Sequence, residues 1–224
     1  MLDTVILINI NNITLVKSVF LCYNSIKMDK YDVFSVYFAG SDLMFYMFLA
    51  DGFEETEALV TLDMLRRAGV EIKTVGVGSS VICGTHGIKV FADITENEVD
   101  TDLCDGIILP GGMPGTENLF ASEAVNKITD YCFDNERLIC AICAAPVIPG
   151  RKGLLKGREA VCFPGFEDEL DGADVKNAAC VKSGNIITAK GAGCVFEFSF
   201  EIISAVKGKE TAEEVISTIQ HKGL

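Results

Sequence analysis

The sequence predicts an α/β fold, a three-layer α/β/α sandwich in which helices cover both faces of a mainly parallel sheet. From Met44 onward, apolar runs of strand length alternate with segments of helical periodicity, an alternation typical of parallel sheets. The strand runs are nearly continuous, as expected for strands buried on both faces. With 49% hydrophobic residues among 224, the chain is large enough to bury such a core.

The elements follow one another in a β-α order. Residues 44–50 form a continuous apolar run, and residues 54–69 carry apolar residues at helical spacing that stops at Gly69. The remaining elements, in chain order, are a strand at 71–77, a glycine-rich hairpin region at 83–93, a strand at 106–110, a helix at 117–134, a strand at 137–142, a helix starting near Cys143, a strand at 185–189, and helices at 195–206 and near 210–220. Because ligands bind beyond the carboxyl ends of parallel strands, the turns after these strands are the expected site.

The first 43 residues differ in composition from the rest of the chain. They are rich in Asn, Ile, Leu, Lys, Tyr and Phe, and polar residues break their apolar runs before the roughly 18 residues that would span a bilayer. A signal peptide is disfavoured because Asp3 stands near the start and no A-x-A cleavage site follows. We expect residues 44–224 to form the folded domain. Residues 1–43 are then an N-terminal extension, either upstream sequence read from too early a start or a variable or disordered segment.

Charge and cysteine content disfavour several classes of function. Thirty-two acidic and 19 basic residues give a formal net charge of −13, spread along the chain. Nucleic acid is therefore not an expected partner, and no membrane partner is expected either. Nine cysteines without regular spacing do not resemble a secreted disulfide scaffold, and they favour reduced thiols in the cytoplasm.

Cys140 and Cys143 form a CxxC motif with three interpretations: a redox pair, half of a metal site, or one reactive thiol beside a structural one. A thioredoxin-like pair needs both sulfurs at a helix start, and a zinc site needs a second close pair that the other cysteines do not offer. Cys140 is expected inside the strand, facing the helix-covered interior. Cys143 falls at the strand-to-helix turn among small residues, where a helix N-terminus would lower the pKa of its thiol.

Two further turns at the same sheet edge offer partners for Cys143. The turn after the first strand presents three glutamates at a helix start. Glu57 lies furthest into the helix and could point into the pocket, where a protonated carboxyl would assist a thiolate. Gly111 and Gly112 directly follow another strand. They could turn backbone N–H groups toward an oxyanion, or form a glycine-rich turn and nothing more.

Five segments resemble, in order and spacing, the motifs of the ThiJ/PfpI superfamily, and within it the DJ-one branch. They are FLADGFEETEAL, LRRAGV, ILPGGMPGTENL, AICAAP and GAGCVFEF, and the match spans residues 44 to about 221. The resemblance implies a flavodoxin-like fold, a homodimer, and an elbow cysteine that is hydrogen-bonded to a protonated glutamate, with no cofactor or metal. It places the cysteine at Cys143 and the glutamate at Glu57, with oxyanion or substrate contacts at Gly111, Gly112 and Ala144.

Departures from the family pattern bear on the chemistry. Ala144 stands where peptidase-like relatives have a histidine, which disfavours a Cys-His protease. Phe163 stands where the deglycase of this branch has a histidine before a proline, in the loop after the elbow helix. Pro149 would shorten or kink the helix after the elbow. His86 falls near a position where several relatives place an arginine, at the dimer-facing edge of the pocket. It could act as a base, or it could pack at the surface or in the interface. The segment LDMLRRAGV resembles the dimer-forming helix, so a homodimer is expected.

The resemblance implies two classes of function. One is a glutathione-independent glyoxalase acting on 2-oxoaldehydes such as methylglyoxal, or a deglycase acting on their glycation adducts, in defence against carbonyl and oxidative stress. The residues fit this chemistry, because the Cys143 sulfur would attack the aldehyde and Glu57 would move a proton between adjacent carbons. The alternative is a redox-sensing or chaperone-like protein that responds through oxidation of Cys143 with little turnover.

Overall fold

The structure of the protein is a computed structural model that describes residues 44–223. The N-terminal extension expected at 1–43 lies outside the described residues. The strands are β1 Met44–Leu49, β2 Glu71–Gly76, β3 Val81–Cys83, β4 Lys89–Phe91, β5 Ile94–Thr95, β6 Cys104–Leu109, β7 Leu138–Ile142, β8 Glu159–Ala160, β9 Asp174–Val175, β10 Cys180–Ser183 and β11 Ile186–Ala189. The helices are α1 Glu55–Arg67, α2 Gly115–Ala121, α3 Glu123–Asp134, α4 Val147–Arg151, α5 Val195–Lys207 and α6 Lys209–Thr218.

A seven-stranded sheet organises the fold, with the strand order β10-β11-β7-β6-β1-β2-β5. All neighbouring pairs are parallel except β10 with β11, which is antiparallel. The predicted α/β class with a mainly parallel sheet is therefore confirmed. Because β1, β6, β7 and β11 run in one direction, the turns that follow them meet at one edge of the sheet.

Strand β1 shows how the two helical layers form. Phe45, Met47 and Leu49 lie in one core cluster, together with side chains of α1, α5 and α6. Tyr46 and Phe48 lie in the other cluster, with side chains of α2, α3 and α4. Successive residues of a strand point to opposite faces, so this apolar run fills both layers. Each fully buried side chain of this size stabilises the fold by roughly 1.5–3 kcal/mol.

The helix predicted at 117–134 is instead two helices, α2 and α3, because the chain breaks at Ser122. Ser122 has an extended backbone, and its hydroxyl accepts a hydrogen bond from the Val125 N–H at 3.3 Å. A serine in this position satisfies a backbone donor that would otherwise be unpaired at the start of α3. The apolar spacing continues through the break, so the periodicity alone did not reveal it.

The helix predicted to start near Cys143 begins at Val147 and has only five residues. Pro149 lies in its first turn, where the missing N–H of proline removes no helical hydrogen bond. The chain then turns at Gly153, which has a φ of +72°. Cys143 is therefore separated from the helix start by a turn. Among the helices of residues 44–223, none combines the length and apolar character that crossing a bilayer requires.

Candidate active site

Cys143 occupies a tight elbow between β7 and α4. Its φ of +66° lies in the left-handed region, which costs a non-glycine residue about 1–2 kcal/mol. Two hydrogen bonds hold this conformation. The Cys143 N–H donates to the Ala189 carbonyl at 2.9 Å, and the Phe163 N–H donates to the Cys143 carbonyl at 2.8 Å. The elbow is thus fixed to the end of β11 and to the following loop, and the thiol stays partly exposed.

Glu57 projects from the first turn of α1 and is only 1% exposed. Its Oε2 accepts a hydrogen bond from the Gly111 N–H at 2.8 Å. Its Oε1 is buried and has no hydrogen-bond partner among the described residues. Burial raises the pKa of Glu57 to about 7, although the interactions with Cys143 and the Gly111 N–H act in the opposite direction. The carboxyl is therefore close to half protonated at neutral pH, the direction that the sequence analysis expected.

The thiol of Cys143 does not have the lowered pKa that the sequence analysis expected. Burial, followed by the charge and hydrogen bond of Glu57, raises its pKa to about 12, while the Ala144 and Gly112 N–H groups oppose this shift. The expectation was wrong because burial and the neighbouring Glu57 outweigh the two N–H groups that favour the thiolate. Because the charge of Glu57 disfavours a second negative charge on the Cys143 sulfur, we expect the pair to hold one negative charge and one proton near neutral pH.

Gly111 and Gly112 have different roles from the shared one predicted for them. The Gly111 N–H is already bonded to Glu57 and is not free for an oxyanion. A Cβ on Gly111 would lie 2.7 Å from the Cys143 Cβ and 2.8 Å from the Glu57 Oε2, so a glycine permits this close approach. Gly112, at a φ of +91°, contributes the N–H that acts on the Cys143 sulfur together with that of Ala144. These two amides form the candidate oxyanion site.

The structure pairs His86 with Glu55, at the edge of the same region. The buried Glu55 carboxylate accepts hydrogen bonds from the backbone N–H of His86 at 2.7 Å and of Ile88 at 3.3 Å. The His86 Nδ1 lies 2.9 Å from the Glu55 Oε2, and this contact raises the pKa of His86. Burial alone would raise the pKa of Glu55, but His86 and the backbone donors lower it overall. The ring therefore belongs to an anchor for the loop between β3 and β4.

The anchoring role of Glu55 was not predicted, because Glu55 is one of three glutamates at a helix start, where an acidic residue is expected. One signal was available in the segment CGTHG, since Gly84 leaves room for the Glu55 carboxylate; a Cβ on Gly84 would lie 2.3 Å from it. The loop is also fastened by Thr85, whose N–H donates to the Phe53 carbonyl at 2.8 Å and whose hydroxyl donates to the Met113 carbonyl at 3.0 Å.

Donor atoms of Glu54, Glu55 and His86 lie within 4.8 Å of one another, the one group of three among residues 44–223 with spacing suited to a metal ion. The hydrogen bonds and the ion pair between Glu55 and His86 account for this arrangement without a metal. We therefore assign no metal to it.

Cys140 lies where the sequence analysis placed it, in the interior of β7 with no exposed surface. Its burial raises the pKa of its thiol. Cys140 and Cys143 are both free thiols, as are the other six cysteines of the described residues. The arrangement favours the interpretation of one accessible thiol beside a structural one.

A family model and several known proteins match this chain. The model of the DJ-1/PfpI family matches residues 44–205. Protein DJ-1 homolog B of Arabidopsis thaliana is 36% identical over 170 residues, which cover 75% of this chain and 39% of the Arabidopsis protein. Protein dj-1beta of Drosophila melanogaster is 33% identical over 171 residues, covering 75% of this chain and 91% of the fly protein. A Pyrococcus abyssi protein named a deglycase is 29% identical, with coverages of 70% and 96%.

Solved structures of similar proteins share the fold. A cysteine-to-alanine mutant of a DJ-1 superfamily protein from Salmonella typhimurium superposes with a TM-score of 0.77 at 34% identity, covering 80% of this chain and 99% of the other. The oxidized form of Toxoplasma gondii DJ-1 gives a TM-score of 0.75 at 30% identity, covering 81% and 100%.

Proposed function

The chain belongs to the DJ-1/PfpI family, and from that premise we propose that it is a cofactor-free, cysteine-dependent enzyme acting on 2-oxoaldehydes such as methylglyoxal or on their glycation adducts. One observation carries the proposal: the buried carboxyl of Glu57, with its pKa raised to about 7, lies beside the accessible thiol of Cys143. A group that both accepts and returns a proton works best when its pKa is near the working pH. The deglycase name of the Pyrococcus relative supports the same class of substrate.

The first step is addition of the Cys143 sulfur to the aldehyde carbon. In the singly charged pair, the Glu57 carboxylate accepts the thiol proton while the C–S bond forms, so a free thiolate need not accumulate despite the raised thiol pKa. The aldehyde oxygen gains the negative charge as its double bond breaks, and the N–H groups of Gly112 and Ala144 stabilise it. Glu57 then returns the proton to that oxygen, which gives a hemithioacetal and restores the carboxylate.

The second step moves a proton between neighbouring carbons. The Glu57 carboxylate takes the proton from the carbon that bears sulfur, and the C–H electron pair forms a C=C bond, which leaves an enediolate charged on the former ketone oxygen. The proton of the neighbouring hydroxyl passes to that oxygen, and Glu57 returns its own proton to the former ketone carbon. The first carbon is oxidised to a thioester while the second is reduced to an alcohol, so the electrons balance within the substrate and no external redox partner is required. Water then cleaves the thioester, releasing a 2-hydroxy acid and the thiol of Cys143.

The decisive experiment measures lactate formed from methylglyoxal in the absence of glutathione. We expect many lactate molecules per chain, because water regenerates the thiol. Varying N-acetyllysine at a fixed total of methylglyoxal distinguishes the two substrates: the rate follows the free aldehyde for a glyoxalase and the adduct for a deglycase. Less than one product per chain under all these conditions would refute the enzyme proposal.

The alternative is a sensor that acts through oxidation of Cys143, and one observation favours it. The similar Toxoplasma gondii DJ-1 structure is of an oxidized form, and Cys143 is a partly exposed thiol. A sensor would show stoichiometric uptake of oxygen on Cys143 under mild peroxide and no multiple turnover in the lactate assay. Under either function we place the protein in the cytoplasm, where reducing conditions would keep its eight described free thiols reduced.

We also propose that the protein is a homodimer that uses α1. Asp63 and Arg67 lie on the exposed side of this helix and form an ion pair at 2.7 Å. Sedimentation at micromolar concentration should give twice the monomer mass, and Arg67→Glu should shift the equilibrium toward monomer, because it places a second negative charge beside Asp63 on the proposed interface. The matched control is Lys127→Glu, which reverses an exposed charge on α3 in the opposite layer. Sedimentation of the wild type as monomer alone would contradict this proposal.

A further inference from the structure

Two large apolar side chains are exposed beside the elbow. Phe163 is 47% exposed and Met113 is 45% exposed. A single exposed apolar side chain is ordinary, but two that border one reactive thiol form a surface that a substrate can bury. We propose that Phe163 and Met113 form an apolar rim that selects 2-oxoaldehydes with a bulky, neutral, apolar substituent, such as an aryl group, over methylglyoxal. This inference rests on the proposed function and specifies its substrate class.

The strand order places the two members of the rim on either side of Cys143. The sheet runs β11-β7-β6, and Cys143 follows the middle strand. Met113 comes from the turn after β6, next to Gly112, whose N–H acts on the Cys143 sulfur. Phe163 lies on the β11 side, because its ring rests against Gly191, two residues beyond the end of β11. The segments that carry Phe163 and Met113 therefore lie on opposite sides of Cys143.

Phe163 is held in place by a backbone hydrogen bond and by the contact of its ring with Gly191. Its N–H donates to the Cys143 carbonyl at 2.8 Å, which fixes its position relative to the elbow. A Cβ on Gly191 would lie 3.3 Å from a ring carbon, so the ring packs closely on that glycine. The remaining exposed surface can cover a substituent without reorganisation of the backbone, which reduces the entropy cost of binding.

The negative charge near Glu57 favours a substrate whose substituent is neutral. The charge of Glu54 contributes to the raised pKa of Glu57, and the carboxylates of Glu54 and Glu55 lie 3.6 Å and 2.9 Å from the His86 Nδ1. His86 balances part of this charge through its contact with Glu55. An anionic substituent, such as a carboxylate or phosphate, would add like charge to this region, whereas a neutral aryl or branched alkyl group would not.

The test compares phenylglyoxal with methylglyoxal by measuring the mandelate and lactate that they form. Wild type should have the higher kcat/KM for phenylglyoxal. Phe163→Ala should lower that value about tenfold, as expected for the loss of roughly 50 Å² of apolar contact, and should change the value for methylglyoxal by less than about twofold. The control is Leu103→Ala, since Leu103 is 57% exposed but precedes β6 at the opposite edge of the sheet. Thermal unfolding verifies that both variants fold.

The proposed role of the rim would be contradicted if Phe163→Ala lowered kcat/KM equally for the two aldehydes. It would also be contradicted if Leu103→Ala lowered kcat/KM for phenylglyoxal as much as Phe163→Ala does. If wild type converts neither aldehyde, the proposed function fails, and the rim is tested by alkylation of Cys143 instead. The rate with 2-bromoacetophenone relative to iodoacetamide should fall about tenfold in Phe163→Ala, since only the first reagent carries an aryl group. An unchanged ratio would show that Phe163 does not contact the substituent.

Discussion

Replacing Cys143 with serine is expected to reduce methylglyoxal turnover to background while leaving the fold intact. A serine hydroxyl is a far weaker nucleophile than a thiol, and Glu57, with a pKa near 7, is too weak a base to ionise it. The side chain is partly exposed and the exchange is nearly isosteric, so stability should change little. The measurements are lactate formation and thermal unfolding, and mass spectrometry after mild peroxide should locate added oxygen on Cys143 in the wild type.

Cys140→Ser is the matched control, because it makes the same exchange three residues earlier in a buried strand. An unpaired hydroxyl in this apolar interior costs about 1–3 kcal/mol, so the melting temperature should fall while turnover persists. Equal loss of turnover in both variants would show that the two cysteines act as a redox pair. A disulfide between Cys140 and Cys143 as the main product of peroxide would lead to the same conclusion.

Glu57→Gln is expected to abolish turnover, because an amide can neither accept the thiol proton nor return it to carbon. In wild type, activity should fall as the pH drops below about 7, since the carboxylate is the form that starts the reaction and burial sets its pKa near 7. A pH–rate profile measures this limb directly. Substantial turnover in the glutamine variant would contradict the role assigned to Glu57.

The same variant should change how stability depends on pH. Burial raises the folded-state pKa of Glu57 from its ordinary 4.5 to about 7, so the folded state holds this proton more tightly than the unfolded state. The resulting stabilisation is present below pH 4.5 and is lost as the pH rises through about 7, with a size on the order of 3 kcal/mol. Denaturant unfolding between pH 4 and 8 should show this decline in wild type but not in Glu57→Gln. The control Glu123→Gln removes an exposed carboxylate on α3 and should keep the wild-type profile.

The sequence predicted the placement of Cys143 and Glu57 because both depend on where strands end and where a helix begins, features that apolar runs reveal. The pKa of Cys143 was predicted in the wrong direction because burial of the thiol and its contact with Glu57 depend on the tertiary fold and leave no local pattern. The separate roles of Gly111 and Gly112 depend on which amide meets Glu57, 54 residues away. Such a contact is a product of the tertiary fold and leaves no local pattern.

The anchor of the β3–β4 loop was missed for the same reason. Glu55 and His86 are 31 residues apart, and a glutamate at a helix start already has an adequate local explanation. The break at Ser122 was missed because a serine cap and a serine within a helix look alike when the apolar spacing continues across them.

The pKa values of two glutamates in the first turn of α1 are shifted in opposite directions. Glu55 accepts three hydrogen bonds and stays charged, whereas Glu57, two residues later, is close to losing its charge at neutral pH. Because of this difference, one helical turn provides both a charged anchor for the β3–β4 loop and a base that titrates near neutral pH. Mild acidification would therefore inactivate the protein by protonating Glu57 while Glu55 still holds the β3–β4 loop. Activity would return on neutralisation without refolding of that loop.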